Sequence, residues 1–262
     1  MNVMEALKQE QEKTSLLCVG LDTELHKIPH EMHDSDNPIL RFNEEIISAT
    51  QDYCSSYKIN FAFYEQYGER AFALIKDTIT MLPKEKLSIA DAKRGDIGNT
   101  SGAYARAVFD DMGFDAITVS PYMGYDSVAP FLEYPDKIVF ILALTSNAGS
   151  ADFQRLVCND KPIYRHVIET ALSWQSRAHI GFVVGATHPD ELAEIRSYAP
   201  NSCLLIPGVG TQGGNASDVL RANGKGPAVI NVSRDILYGG TDQESAYYHA
   251  RTKAQYYAGL LQ

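Results

Sequence analysis

The chain lacks the marks of most specialised protein classes. It has only four cysteines, Cys18, Cys54, Cys158 and Cys203, widely spaced and without a C-x-x-C pair. That pattern excludes a disulfide framework and a cysteine zinc site, so the thiols are expected to be reduced. No apolar run is long enough to span a bilayer. Met1 to Lys13 is charged and helix-prone, which reads as a helix and not as a secretory leader. No internal repeat, low-complexity segment or proline-rich linker interrupts residues 1–262, so one domain is expected. Positive charge is scarce as well: 23 Lys and Arg stand against 33 Asp and Glu, a net charge of −10. Such a surface suits neither nucleic acid nor an anionic membrane. A phosphorylated small-molecule partner would need a local cationic site. The expected compartment is the cytoplasm.

What is present is alternation. Eight short apolar runs recur: Leu16–Leu21, Tyr57–Phe61, Leu87–Ala90, Ala116–Val119, Ile138–Leu144, Ile180–Val184, Cys203–Ile206 and Ala228–Val232. Most are continuous, as parallel strands covered on both faces should be. Amphipathic segments lie between them, the clearest being Pro38–Asp52, Tyr64–Leu82, Lys161–Ala178, Pro189–Tyr198 and Gln243–Leu261. Eight strand–helix units in 262 residues fit an α/β fold of the (β/α)₈ TIM-barrel type, with its site at the C-terminal ends of the strands. An open doubly wound sheet would want a glycine-rich fingerprint after the first strand, and Gly20-Leu21-Asp22-Thr23 is not one. The longest irregular stretches, Thr23–Asn37 and Asn147–Asp160, follow strands and fall on the same face.

The chemistry concentrates at strand ends. The third run leads into Asp91-Ala92-Lys93-Arg94-Gly95-Asp96-Ile97-Gly98-Asn99-Thr100. If the strand continues, Asp91 and Lys93 point to one side. A surface ion pair is the simpler alternative, but a buried strand running straight into charge marks a site. In the second run Tyr57, Ile59 and Phe61 supply an outer apolar face, which turns Lys58 and Asn60 inward; Asp22 ends the first run. Two ammonium groups and several carboxylates at one mouth should hold one another charged. The seventh run opens into Pro207-Gly208-Val209-Gly210-Thr211-Gln212-Gly213-Gly214 and the eighth into Asn231-Val232-Ser233-Arg234. Glycines let backbone N–H groups approach an anion, and Arg234 would add a charge-assisted contact, so phosphate is expected there.

These motifs resemble the orotidine 5′-phosphate decarboxylase family. The signature D-x-K-x-x-D-I-x-x-T is present as Asp91, Lys93, Asp96, Ile97 and Thr100. The resemblance extends through Gly20-Leu21-Asp22, Lys58 to Glu65, Leu144-Thr145-Ser146-Asn147, Pro207–Gly214 and Asn231–Arg234, in forms similar to a longer bacterial and protozoal subgroup. Asn215 and Asp235 depart from the residues common at their positions, an acid and a glycine. The resemblance implies decarboxylation of orotidine 5′-phosphate to UMP without metal or cofactor. It implies Lys93 as proton donor, Asp91 beside the substrate carboxylate, and Lys58 orienting Asp91. Asp22 and Asn60 would meet the ribose. Ser146 and Gln212 would meet the pyrimidine and phosphate ends, with Pro207, Gly213, Ser233 and Arg234 also on the ligand. It further implies Ile97 on the ligand, and a homodimer in which Asp96, a fourth catalytic residue, and Thr100 reach into the partner's site. Two alternatives are a Mg²⁺-dependent sugar-phosphate decarboxylase and a non-catalytic nucleotide-binding barrel. The first would want an acid where Lys58 stands. The second would tolerate loss of Asp91 or Lys93, and both are present.

Overall fold

The computed structural model describes residues 2–210 and 213–262. Its barrel strands are β1 (Leu17–Gly20), β2 (Ser56–Asn60), β3 (Leu87–Arg94), β4 (Ala116–Val119), β5 (Ile138–Leu144), β8 (His179–Val184), β9 (Leu204–Pro207) and β10 (Ala228–Val232). They close in the order β1-β10-β9-β8-β5-β4-β3-β2, all neighbours parallel. Two short strands, β6 (Val157–Cys158) and β7 (Lys161–Pro162), pair antiparallel in the loop after β5. Each apolar run falls on a strand, seven of them within one residue at either end, while the third strand runs four residues past Ala90 to Arg94; the expected TIM barrel is the observed fold.

Alternation along the strands explains why each run is apolar throughout. Cys18, Ile89, Ala116, Phe140, Val183, Leu205 and Val229 pack inside the barrel. Their neighbours Val19, Ala90, Ile117, Ile141, Val184, Ile206 and Ile230 pack outward beneath the helices. Tyr57 and Ile59 lie in that outer layer, which leaves Lys58 turned inward and buried. The amino-terminal segment forms helix α1 (Val3–Lys13), capped by a reciprocal Asn2–Glu5 box. Leu7, Val3 and Met4 close the bottom of the inner core, and Glu10 meets Lys86 at 2.6 Å.

The expected helices at Pro38–Asp52, Pro189–Tyr198 and Gln243–Leu261 appear as Pro38–Thr50, Pro189–Tyr198 and Gln243–Leu260. The expected helix Tyr64–Leu82 is broken. A short turn at Ala62–Glu65 is followed by a 3₁₀ turn at Gly68–Arg70, and the helix proper is Ala71–Met81. Gly68 takes φ +61°, a left-handed geometry that ends one helical segment before the next begins. The expected helix Lys161–Ala178 is shorter, at Ile163–Leu172, because Lys161 and Pro162 are used in the β6–β7 hairpin. All four cysteines are free, three of them buried and Cys158 exposed.

Candidate active site

The C-terminal mouth of the barrel holds a cavity of about 290 Å³. Its floor is apolar, made by Leu142, Val183 and Leu205 from three adjacent strands. Its walls bring together Asp22, Lys58, Asn60, Asp91, Lys93, Ser146, Pro207, Ser233 and Arg234. Residues from most of the barrel's circumference thus meet because parallel strands converge on one rim.

One side of the cavity is a chain of alternating charge. Ser233 Oγ lies 2.6 Å from Asp22 Oδ2, and Lys58 Nζ lies 3.3 Å from Asp22 Oδ1. The same ammonium is 3.1 Å from Asp91 Oδ2, and Lys93 Nζ is 2.6 Å from Asp91 Oδ1. Lys58 is almost fully enclosed, with 3% of its side chain exposed, whereas Lys93 is 48% exposed and faces the open cavity. Burial by itself would raise the Asp91 carboxyl, but the Lys58 and Lys93 ammonium groups outweigh it and hold the pKa at about 2. Burial would likewise lower Lys58; the Asp22 and Asp91 carboxylates reverse the sign and keep it above the ordinary lysine value. Both groups are therefore charged near neutral pH.

Local backbone geometry sets up this array. Gly20 precedes Asp22 by two residues, and a Cβ there would sit 2.8 Å from Ser233 Oγ, so only glycine lets Ser233 approach. Tyr238 Oη donates to the Asp22 carbonyl at 2.8 Å and anchors its backbone. On β3 the pairing with β4 slips: Ala90 faces Ile117, yet Arg94 faces Val119. Within that bulge Lys93 takes φ +46°, uncommon for a residue with a Cβ. Asn60 Oδ1 accepts the Ala62 N–H at 3.2 Å, which leaves its NH₂ group as the donor for a ligand.

The cavity wall also carries the start of the glycine-rich loop after β9 and Arg234 after β10. Gly208 and Gly210 take φ of +104° and +82°, and the loop folds back with Gly214 N–H donating to the Gly208 carbonyl at 3.1 Å. Arg234 is exposed at the cavity and has no ion-pair partner among the described residues. Its neighbour Asp235 does not compete for it. The Asp235 carboxylate is turned to the last helix, 3.0 Å from Lys253 Nζ and 2.7 Å from Tyr257 Oη. Asn215, the other departure, caps the helix Ala216–Asn223 by accepting from the Ser217 and Asp218 N–H groups.

Four expected ligand contacts are not on this cavity wall. Asp96 is half-buried, Ile97 is 60% exposed, and Thr100 and Gly213 are exposed. Asp96 Oδ1 accepts the Ile97 N–H at 2.8 Å. Gln212 lies outside the described residues. Conversely, Thr145, Asn147 and Asn231 line the cavity although the sequence motifs that contain them assigned them no role, and Thr118, which supports the site, was not singled out at all. Asn231 Oδ1 is buried, has no hydrogen-bond partner among the described residues, and belongs to a residue that lines the cavity. Its two-residue spacing from Ser233 was the available signal. Gln154 receives the Thr145 N–H at 2.8 Å and so fixes the turn that carries Ser146.

The sequence model of the orotidine 5′-phosphate decarboxylase / HUMPS family matches residues 15–248. A protein of Christiangramia forsetii named orotidine 5′-phosphate decarboxylase is 49% identical over 251 residues, covering 94% of this chain and 92% of that protein. One of Dehalococcoides mccartyi with the same name is 48% identical over 254 residues, covering 94% and 92%. Among solved structures, Leishmania donovani OMP decarboxylase superposes with a TM-score of 0.83 at 35% identity over 99% of each chain. Leishmania donovani UMP synthase gives 0.87 at 36% identity; all of this chain is covered, but only 56% of that longer one.

Proposed function

The chain belongs to the orotidine 5′-phosphate decarboxylase / HUMPS family, and on that premise we propose that it converts orotidine 5′-phosphate to UMP and CO₂, with Lys93 protonating C6. It is an enzyme of the carboxy-lyase class, as its relatives' names indicate. The observation that carries the mechanism is the array Asp22–Lys58–Asp91–Lys93, whose outermost ammonium faces the open cavity.

The substrate carboxylate lies beside Asp91. Two like charges there disfavour the bound ground state, and the C6–CO₂ bond breaks with its electron pair left on C6. The pyrimidine ring delocalises that pair poorly. A fixed ammonium beside it is the strongest stabilisation the site offers. Lys93 Nζ then transfers a proton to C6, forming the C6–H bond, and the amine regains a proton from solvent. Lys58 holds Asp91 in place and ionised. Asp22 and Asn60 bind ribose hydroxyls, Ser146 the pyrimidine, and Arg234 with the Pro207–Gly214 loop the phosphate. Gln212 and Gly213 complete that loop. The active unit is a cytoplasmic homodimer of single-domain chains, with Asp96 and Thr100 serving the partner's cavity and Ile97 on the ligand. Their exposure away from their own cavity supports that reading.

No metal or other cofactor is invoked. A divalent cation would need the space between Asp22 and Asp91 that the Lys58 ammonium fills, which speaks against the sugar-phosphate alternative. The test is the absorbance of orotidine 5′-phosphate with purified protein and excess chelator. Loss of substrate absorbance is expected. A stable signal overturns the reading, and activity that returns only with Mg²⁺ favours the alternative.

A further inference from the structure

We propose that Thr118 is a positioning residue for the Asp91–Lys93 pair, clamping the lysine's backbone and the carboxylate with a single hydroxyl. The proposal rests on the decarboxylase reading above. Thr118 sits on β4, buried and facing the barrel interior. The Lys93 N–H donates to its Oγ1 at 3.0 Å, and Oγ1 lies 3.0 Å from Asp91 Oδ1. The direction of both bonds is fixed by chemistry. A backbone N–H can only donate and an ionised carboxylate can only accept, so the hydroxyl proton must point to Asp91.

The bulge explains why a hydroxyl is needed there. Ala90 to Arg94 on β3 faces only Ile117 to Val119 on β4, so residues within the bulge lose their ladder partners. Thr118 takes the N–H that Lys93 would otherwise leave unpaired. It thereby holds Lys93 at φ +46°, a conformation that persists only where its surroundings enforce it. Among the described residues the same hydroxyl is one of two donors on Asp91 Oδ1, the other being Lys93 Nζ at 2.6 Å. One side chain therefore ties together the start of Lys93 and the group its end must meet. Thr118 is not on the cavity wall, so it acts through these two residues and not on the ligand.

The test compares Thr118→Val, which keeps the shape and removes the hydroxyl, with Thr118→Ser, which keeps the hydroxyl. Thr118→Ala replaces the valine variant if that fails to fold. Turnover of orotidine 5′-phosphate, UMP affinity by calorimetry and thermal unfolding are measured for each. Thr118→Val should lower kcat by roughly 10- to 100-fold, the scale of a misplaced reacting group, with UMP affinity nearly unchanged. Thr118→Ser should recover most of the loss. A folded Thr118→Val enzyme with wild-type kcat overturns the proposal. So does a serine variant as slow as the valine one, or a loss carried by UMP affinity alone. A wild-type protein that leaves orotidine 5′-phosphate intact removes the decarboxylase reading, and this role with it.

Discussion

Lys93 Nζ meets Asp91 Oδ1 at 2.6 Å from a backbone that has left regular strand geometry, with φ +46° at the lysine. On a regular strand, residues two apart start their side chains roughly 7 Å from one another. The bulge lets the lysine close that gap while its ammonium stays on the open side of the cavity. The Asp91 carboxylate, which accepts from Lys58, Lys93 and Thr118, is then held ionised where few groups could be.

Asp91→Asn tests this charge balance through stability. The folded pKa of about 2 lies below the ordinary 3.8. A depressed carboxyl contributes stability that is complete above its unfolded pKa and lost as pH falls through its folded one. The shift corresponds to about 2 kcal/mol. Denaturant unfolding should show the largest wild-type advantage at pH 5 to 7, shrinking as pH falls from about 4 towards 2. An advantage of constant size across that range would mean Asp91 is not held by its neighbours' charge.

Arg234→Ala tests the anion end. A charge-assisted contact to phosphate should be worth at least about tenfold in kcat/KM. Part of the loss should appear in kcat, because phosphate binding energy is used at the distant reacting carbon. Steady-state kinetics on the full nucleotide check this, and unchanged constants would move the phosphate away from Arg234.

Mixing variants tests the shared site. Lys93→Ala and Asp96→Ala chains should each be nearly inactive alone. If Asp96 serves its partner, a mixed dimer holds one doubly defective site and one intact site. Activity should reappear after subunit exchange. Two stable homodimers that exchange subunits without regaining activity would place Asp96 in its own chain's site.

The barrel was legible because buried parallel strands must be apolar on both faces, so Ala116–Val119, Ile138–Leu144 and Ala228–Val232 could be read to the residue. Lys58 was legible for the complementary reason: a charge amid outward-facing Tyr57 and Ile59 must point inward. Thr118 was not. Its hydroxyl matters only because of a bulge on the neighbouring strand, and pairing slips leave no mark in periodicity. The break at Gly68 was missed because the apolar spacing runs across it, although the glycine was visible. The environment of Asp235 was hidden for another reason, since Lys253 and Tyr257 reach it from the last helix, 18 and 22 residues further on.

The central claim is that Lys93 donates the proton, and Lys93→Ala measures it most directly. Turnover of orotidine 5′-phosphate by that variant should fall by at least ~10², the usual worth of a general acid, while UMP still binds. Turnover within tenfold of wild type would contradict the account and remove Lys93 from the role.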